Sequence, residues 1–388
     1  MSSCSSEHTP LFRCRPEIES LPVYNAGLAA DMVRERYGID RIVKLGSNEN
    51  PHGPPPGISE ALSTLLDRIA LYPESESRLR EALAAFLDQD PASLVFGNGS
   101  EQLIRMIMQG AVSPGDRVVT VLPSFGLHIL NAEVMGARVE AIPVTQDAQF
   151  DLSALIEAVS RPTRMLILSN PSNPVGCMMT AGALAELIAA CPEDCLLVID
   201  EAYREYAQHD PTYPDARTVL RAQSRPWIVL GTFSKAWGLA GLRIGYAMTS
   251  SPDVTQALEA VRDPFNTNIA AQIAAIAALK GQDHMRDSVA RTVAERERVR
   301  AALAPVVAEI APSCANFLFF RLSYDADRVA EHLLTQGVIV KPWKESGFRN
   351  RIRVSIGLPE DNDRFLAALK NTLIALAATA RDTGEIVA

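Results

Sequence analysis

No stretch of this sequence is long and apolar enough to read as a membrane span. Its first ten residues, MSSCSSEHTP, have neither a basic start nor an apolar stretch, so no secretory signal is expected. There is no CxxC and no paired Cys/His spacing of the kind that binds zinc, so no metal is expected. Six cysteines (Cys4, Cys14, Cys177, Cys191, Cys195 and Cys314) are scattered instead, which reads as free thiols in a reducing cytoplasm. Cys191 and Cys195 are spaced for one helix face, but Pro192 between them favours a loop. Positive charge is in deficit: 37 Lys and Arg stand against 46 Asp and Glu, a formal charge of −9. An acidic chain has no general attraction for nucleic acid or an anionic membrane surface. No Gly-X-Y period, heptad series, internal repeat or low-complexity segment is present, which excludes fibrous architectures. What remains is an ordinary globular composition, 47% hydrophobic and 21% charged over 388 residues, with chain enough for two domains.

The first 20 residues are polar and patternless, as a loose arm would be. Helical character over 24–36 leads into a short apolar piece, IVKLGSNENP. Pro51, Pro54, Pro55 and Pro56 then interrupt any regular element, so that run is a connector. Helices are expected at 58–69 and 77–87. Beyond residue 93, short apolar runs at 94–96, 117–121, 138–142, 165–168, 196–199, 228–230 and 243–248 alternate with helical stretches such as 101–112, 125–135 and 180–190. That alternation predicts an α/β fold, a mainly parallel seven-stranded sheet sandwiched by helices. Near residue 265 the texture changes. Long helices at 269–279 and 283–303 precede a strand at 316–322, a helix at 326–336, strands near 338–340 and 352–355, and a last helix from 361. In that last helix Phe365, Leu366, Leu369 and Leu373 form the stripe expected to be buried. The expected division is an arm over 1–20, a large domain over 51–265, and a smaller α+β domain assembled from 21–50 and 266–388.

Four segments could carry chemistry. Thr232-Phe233-Ser234-Lys235-Ala236-Trp237-Gly238-Leu239-Ala240-Gly241-Leu242-Arg243 follows an apolar strand. A lysine just past a strand end can be partly desolvated, which lowers its pKa and makes it nucleophilic toward carbonyls. Thr232, Ser234 and Arg243 together suit a phosphate, with two hydroxyl donors and a planar cation. Taken alone, the segment is explained as well by an exposed loop lysine and a surface-paired arginine. Asp200 ends another apolar strand, where open α/β sheets place their ligand sites, and Tyr203 follows it. Capping and packing are the plainer roles for these two. Ser169-Asn170-Pro171-Ser172-Asn173-Pro174 makes a fixed turn that holds its asparagines in place, and turn-making alone would explain it. Gly97-Asn98-Gly99-Ser100-Glu101-Gln102 lies between a strand and a helix, whose free N–H groups attract phosphate. Gln102 stands where GxGxxG would need glycine, and GxxxxGK[ST] is absent, so dinucleotide and P-loop readings lose support.

In their order, KLGSNENP, Tyr72-Pro73, GNGSEQLI, Pro123-Ser124-Phe125, NPSNPVG, DEAYREY, SKAWGLAGLRIG and RIRVSIG match one pattern. The chain resembles the fold-type I pyridoxal-phosphate-dependent aminotransferases, and within them the histidinol-phosphate aminotransferase branch, from about residue 20 to 375. The resemblance implies an aspartate-aminotransferase-like fold and pyridoxal 5'-phosphate as cofactor. It makes Lys235 the covalent anchor of the cofactor aldehyde and, once displaced by the substrate amine, the group that moves a proton. Asp200 would keep the pyridine nitrogen protonated, and Asn173 and Tyr203 would bond the ring's phenolic oxygen. Phe125 would lie over the ring face, where many relatives carry tyrosine. Gly99, Ser100 and Glu101 at the helix start, with Thr232, Ser234 and Arg243, would hold the phosphate. Tyr72 resembles the tyrosine that reaches this phosphate from a neighbouring subunit, which implies a homodimer. Arg353 matches the arginine that grips an anionic group of the substrate, and Tyr24, Asn48 and Lys341 would face the same substrate.

The chain departs from its relatives at two places. Tyr24-Asn25-Ala26-Gly27 lacks the proline-glycine-lysine sequence many members have, and Lys341-Pro342-Trp343 stands where many carry arginine. Lysine keeps the charge but loses the two-pronged fork that suits a phosphate. Both differences touch the substrate side. The expected reaction is amino transfer from histidinol phosphate, a small-molecule donor, to 2-oxoglutarate, a 2-oxo acid. An aromatic amino acid is the alternative donor, since Phe125, Trp237 and Trp343 could line an apolar pocket, and a decarboxylase or oxidase on the same scaffold is a further one. A cofactor-sensing transcription regulator would need an added basic DNA-binding module, for which about twenty polar residues in an acidic chain leave no room. A nicotinamide-dependent oxidoreductase would need the missing glycine fingerprint.

Overall fold

The computed structural model describes residues 12–24, 27–73 and 75–383. Its strands are β1 (Val43–Lys44), β2 (Leu94–Asn98), β3 (Arg117–Leu122), β4 (Arg138–Pro143), β5 (Met165–Ser169), β6 (Leu196–Asp200), β7 (Trp227–Thr232), β8 (Ile244–Thr249), β9 (Glu309–Ile310), β10 (Phe317–Arg321), β11 (Val338–Ile339), β12 (Lys341–Pro342) and β13 (Arg351–Ser355). One seven-stranded sheet has the order β2-β8-β7-β6-β5-β3-β4. β8 pairs antiparallel with β2 and β7, and every other neighbouring pair is parallel. Two antiparallel pairings in succession leave β2 pointing the same way as β7. β8 alone opposes the rest.

The sequence dictates this arrangement through burial on both faces. β5, β6 and β7 are wholly buried, as central parallel strands are when helices cover the sheet on either side. The pleat sends alternate residues to two cores: Leu197 and Ile199 enter one, Leu196 and Val198 the other. The Gly99–Ala111 helix buries Leu103, Ile104, Met106 and Ile107 and turns Glu101, Arg105 and Gln109 outward. Each such apolar side chain contributes about 1.5–3 kcal/mol when fully buried. A charge at Val198 would sit unpaired between two layers and break the sheet.

The smaller unit pairs β12-β13-β10-β9 antiparallel and β1 with β11 in parallel. Its core joins Val43, Leu318, Phe320, Ile352, Val354, Phe365 and Leu369. In the last helix, Pro359–Thr383, Phe365 and Leu369 are buried, with Leu366 and Leu373 packed partly against them. The boundary expected at 265 does not coincide with the change of core. The Ile269–Lys280 helix buries Ala271, Ala274, Ala275 and Ala278 in the large core. The next helix, Gln282–Leu303, leaves that core at Met285 and Val289 and enters the smaller one at Val299 and Leu303. The change of helix texture near 265 therefore precedes the change of core, which takes place along one continuous helix.

Smaller differences lie near the N-terminus. Residues 1–11 of the expected arm, Cys4 among them, are outside the described residues, and Pro16–Glu19 forms one helical turn. The helix expected over 24–36 is Ala30–Tyr37, ended by Gly38 in the left-handed region. The segment 58–69 divides into Ile58–Ser63 and a 3-10 turn at Leu66–Arg68. Cys14, Cys177, Cys191, Cys195 and Cys314 are free thiols, and Cys191 caps the helix that Pro192 ends.

Candidate active site

A cavity of about 480 Å³ opens along the C-terminal ends of the parallel strands, where a doubly wound sheet leaves helix starts and loops facing one crevice. Asp200 ends β6, Thr232 ends β7, Asn173 follows β5, Phe125 follows β3 and Ser100 follows β2, and all five line the cavity. β8 runs the other way, so Arg243, just before its start, reaches the same rim. The smaller unit closes the opposite side with Asn48, Lys341, Trp343 and Arg353.

Lys235 lies in the turn beyond β7. Its Nζ donates to the Ser47 carbonyl at 3.2 Å, and among the described residues no carboxylate pairs with it directly. Burial, then the nearby Arg353 guanidinium, bring its amine down to about 8. A larger fraction of this amine is therefore neutral near physiological pH than of an exposed lysine. Asp200 is buried, and its Oδ1 accepts the Ala202 N–H at 3.1 Å, which fixes the carboxylate plane. His128 Nε2 approaches Asp200 Oδ2 to 3.4 Å, both side chains being nearly inaccessible. The approach is too poorly aligned for a hydrogen bond, and Nε2 has no other partner among the described residues. The contact places the imidazole edge against the Asp200 carboxylate.

The other end of the cavity is built for an anion. The Gly99–Ala111 helix starts there, and Asn98 puts no side-chain cap on its first N–H groups. Gly99 has φ +76, and a Cβ there would overlap the Arg243 guanidinium; a Cβ on Gly245 would overlap the Ser100 backbone. Both close approaches require glycine. Thr232 Oγ1 accepts the Ser234 N–H at 3.0 Å, so the two hydroxyl side chains are held in one turn. Arg243 has φ +56, donates to the Ala240 carbonyl, and faces Glu101 Oε2 at 3.5 Å. Glu101 thus orients the arginine, and what it offers an anion directly is its backbone N–H.

On the smaller unit's side, Arg353 is buried and bridges the two halves. Its Nη1 donates to Asn173 Oδ1 and its Nη2 to the Gly46 carbonyl, both at 2.7 Å, while Nε is buried with no partner among the described residues. Burial pushes its pKa down, opposed by Tyr203 and Tyr24. Asn48, at φ +55, donates to Tyr203 Oη at 2.9 Å. Its own Oδ1 accepts from Ser355 Oγ at 2.8 Å, and Asn316 holds its carbonyl. Burial pushes the Tyr203 phenol up to about 12, so it stays a protonated donor. Tyr24 stands edge-on to Phe125, centroids 6.2 Å apart, at the cavity mouth. Lys341 is in register with Arg353 across β12 and β13.

Of the residues expected from sequence, Lys235, Asp200, Tyr203, Ser100, Glu101, Phe125, Asn173, Thr232, Ser234, Arg243, Tyr24, Asn48, Arg353 and Lys341 converge on this cavity. Gly99 supports it from beneath Arg243. Tyr72 does not reach the cavity of its own chain. It is exposed and stacks on Phe265, centroids 4.5 Å apart. Trp237 is a correction: it does not line the cavity but lies in the large core against Phe86 and Phe233, its Nε1 donating to Glu205 at 3.2 Å. Sequence reasoning missed His128, Ser355 and Asn316, buried polar residues in apolar segments whose partners come from distant parts of the chain.

These groups fit a compact ring that carries a phosphate and an aldehyde. The uncapped helix start and the glycine-lined approach to Arg243 suit the phosphate. The buried amine of Lys235 and the restrained carboxylate of Asp200 suit the ring.

A rim of strand ends, a desolvated lysine and a phosphate cradle define an enzyme that works on amino groups through a bound carbonyl. The chain belongs to the family described as aminotransferase class I and II, whose profile matches residues 40–369. It is 47% identical over 357 residues to histidinol-phosphate aminotransferase 3 of Rhizobium meliloti, covering 92% of this chain and 96% of that one. Over 360 residues it is 46% identical to histidinol-phosphate aminotransferase 1 of Mesorhizobium japonicum, covering 92% and 98%. Its fold superposes with a TM-score of 0.85 on the crystal structure of histidinol-phosphate aminotransferase from Sinorhizobium meliloti in complex with pyridoxal-5'-phosphate, at 30% identity over 95% of this chain and 99% of that one. The fold expected from sequence, aspartate-aminotransferase-like, is the observed one: an aspartate aminotransferase of Thermus thermophilus superposes with a TM-score of 0.78.

Proposed function

We propose that this aminotransferase uses pyridoxal 5'-phosphate to move the amino group of histidinol phosphate to 2-oxoglutarate. The observation that carries the reading is that Lys235, Arg243, Lys341, Lys344 and Arg353 line one cavity of an acidic chain, beside the carboxylates of Glu49, Glu101, Asp200 and Glu345. Such a cavity takes a cofactor with one phosphate and a donor with another. The 46–47% identity to histidinol-phosphate aminotransferases supports the choice of donor.

When bound, the cofactor supplies a sink for the electron pair left at the substrate's α-carbon. The protein's own groups do the rest. Lys235 Nζ would hold and move the substrate's α-proton, a task that a low-pKa amine performs best. The Asp200 carboxylate, restrained by the Ala202 N–H and faced by His128, holds positive charge at the ring nitrogen. Tyr203 Oη and the Asn173 amide would hydrogen-bond the ring oxygen. Ser100, Thr232, Ser234 and Arg243, with the N–H groups of Gly99 and Glu101, hold the phosphate. Phe125 excludes water from one ring face. Arg353 and Lys341 take the donor's anionic group, and Tyr24 with Asn48 closes over it.

We further propose that two copies associate through the exposed apolar face of Ile69, Leu71, Tyr72 and Phe265, so that Tyr72 of the partner subunit completes the phosphate cradle. A phenylalanine-type donor remains a second reading, favoured by Phe125, Tyr24 and Trp343 at the cavity walls.

The test is a half-reaction. The purified protein should be yellow, lose its visible band on addition of histidinol phosphate alone, and recover it with 2-oxoglutarate. Borohydride should fix the cofactor to the peptide bearing Lys235. Bleaching by phenylalanine but not by histidinol phosphate would overturn the donor, and label on another lysine would overturn the site.

A further inference from the structure

The turn after β12 carries a carboxylate that amino transfer as described leaves unused. Glu345 lines the cavity on the same wall as Lys341 and Trp343 and is half-buried. Its Oε2 accepts the Trp343 Nε1–H at 3.0 Å. Trp343 is itself anchored: its ring stands edge-on to Phe319, centroids 5.8 Å apart, and packs with Phe348 against buried Val175 and Cys177. The Glu345 carbonyl accepts the Phe348 N–H at 3.0 Å, which fixes the turn. The carboxylate is therefore placed by packing. Burial pushes its pKa up, and the indole hydrogen bond is the one interaction opposing it. Among the described residues no Lys or Arg side chain pairs with it.

A carboxylate turned into a ligand cavity with a single hydrogen bond needs a donor from the ligand. A hydrocarbon ring such as phenyl supplies none and would bury the charge further. An imidazole supplies a ring N–H, or two when protonated. The ends of such a donor would then be divided on this wall: Lys341 and Arg353, in register on β12 and β13, take the anion, and the turn beyond them takes the ring.

We infer that Glu345, positioned by Trp343, is the hydrogen-bond acceptor that selects an imidazole-bearing amino donor over a phenyl-bearing one. The inference rests on the donor class proposed above, and the experiment separates the two. Wild type, Glu345→Leu, Glu345→Gln and Trp343→Phe holoenzymes are assayed with histidinol phosphate, histidine and phenylalanine against 2-oxoglutarate. The apparent dissociation constant of histidinol phosphate is taken from the donor-concentration dependence of single-turnover bleaching, and thermal melts check folding. In Glu345→Leu, kcat/KM for the imidazole donors should fall roughly 10- to 100-fold more than for phenylalanine, mostly through KM, with a matching rise in the dissociation constant. Glu345→Gln keeps an acceptor oxygen and should recover much of the loss. Trp343→Phe should fall between them. Equal losses on histidine and phenylalanine, or no loss on either, would overturn the inference. If the wild type ignores histidinol phosphate while its histidine-to-phenylalanine ratio still collapses in Glu345→Leu, the donor proposed above fails and the role of Glu345 stands.

Discussion

The cavity wall on the large sheet and the wall on the smaller unit hold their side chains by different means. On the sheet side, position comes from the backbone: Asp200 and Thr232 are the last residues of buried parallel strands, and their side chains bond N–H groups two residues on. On the other side, position comes from side chains of distant segments. Asn48 is held by Ser355 and Asn316, and Arg353 by Asn173 and the Gly46 carbonyl. Ladder hydrogen bonds survive most surface substitutions, whereas a side-chain network changes with one residue. In the proposed reaction the chemistry sits on the wall held by the backbone, and donor choice on the wall held by side chains.

The comparison breaks first at Lys235. Lys235→Ala should lower kcat by about 10⁴-fold or more, because it removes the proton shuttle and the cofactor's anchor together. Turnover within tenfold of wild type would show that the sheet wall does not carry the chemistry. Asp200→Asn should follow, with kcat down roughly 10²–10³-fold and cofactor still bound, as when a single charge-stabilising group is removed from a dry site. A normal rate with an intact fold would remove Asp200 from the mechanism. On the opposite wall, Arg353→Ala should cost on the order of 2–3 kcal/mol in kcat/KM, about 30- to 150-fold, expressed chiefly in KM for the anionic donor. An effect confined to kcat would mean that Arg353 acts through Asn173 and not on the donor.

The same contrast explains what the chain disclosed before its structure was known. Strand-end residues such as Asp200 and Thr232 were legible because an apolar run announces a strand, and its last polar residue announces the rim. The sheet was legible too, except for the reversed direction of β8, which pairs antiparallel yet is as apolar as its neighbours. The change from large to small core was not, because Gln282–Leu303 continues as one helix through it. Trp237 shows a different limit. Its neighbours Ser234 and Lys235 face the cavity, but in a turn adjacent residues point apart, and the indole goes to the core. Nothing local marks His128, a buried polar residue of the Gly126–Val134 helix that faces Asp200 from a distant part of the chain.

His128 tests how far the rigidity of the sheet wall depends on side chains. Its Nε2 faces the Asp200 carboxylate at 3.4 Å, and among the described residues it pairs with no other carboxylate, so His128→Asn should lower kcat by about tenfold and leave KM for the donor unchanged. A rise in KM with normal kcat would assign it to packing around Phe125, whose ring it meets edge-on at 5.6 Å.

Lys341 offers the finest distinction between the walls, because its charge titrates within the working range. Burial, then the Arg353 and Lys344 cations, bring its amine down to about 8. Below that pH it is a cation and attracts the donor's anionic group; above it the amine is neutral and the attraction is lost. A phosphate monoester has its second pKa near 6, so the donor is already doubly charged and contributes no change there. Above pH 7, KM for histidinol phosphate should therefore rise as pH passes through 8, approaching tenfold per unit if protonation of Lys341 is required. Lys341→Arg should abolish that limb, since a guanidinium stays charged, and Lys341→Met should give a high KM at every pH. Persistence of the limb in Lys341→Arg would move the titration to another group, and with it the claim that the smaller unit reads the donor by charge.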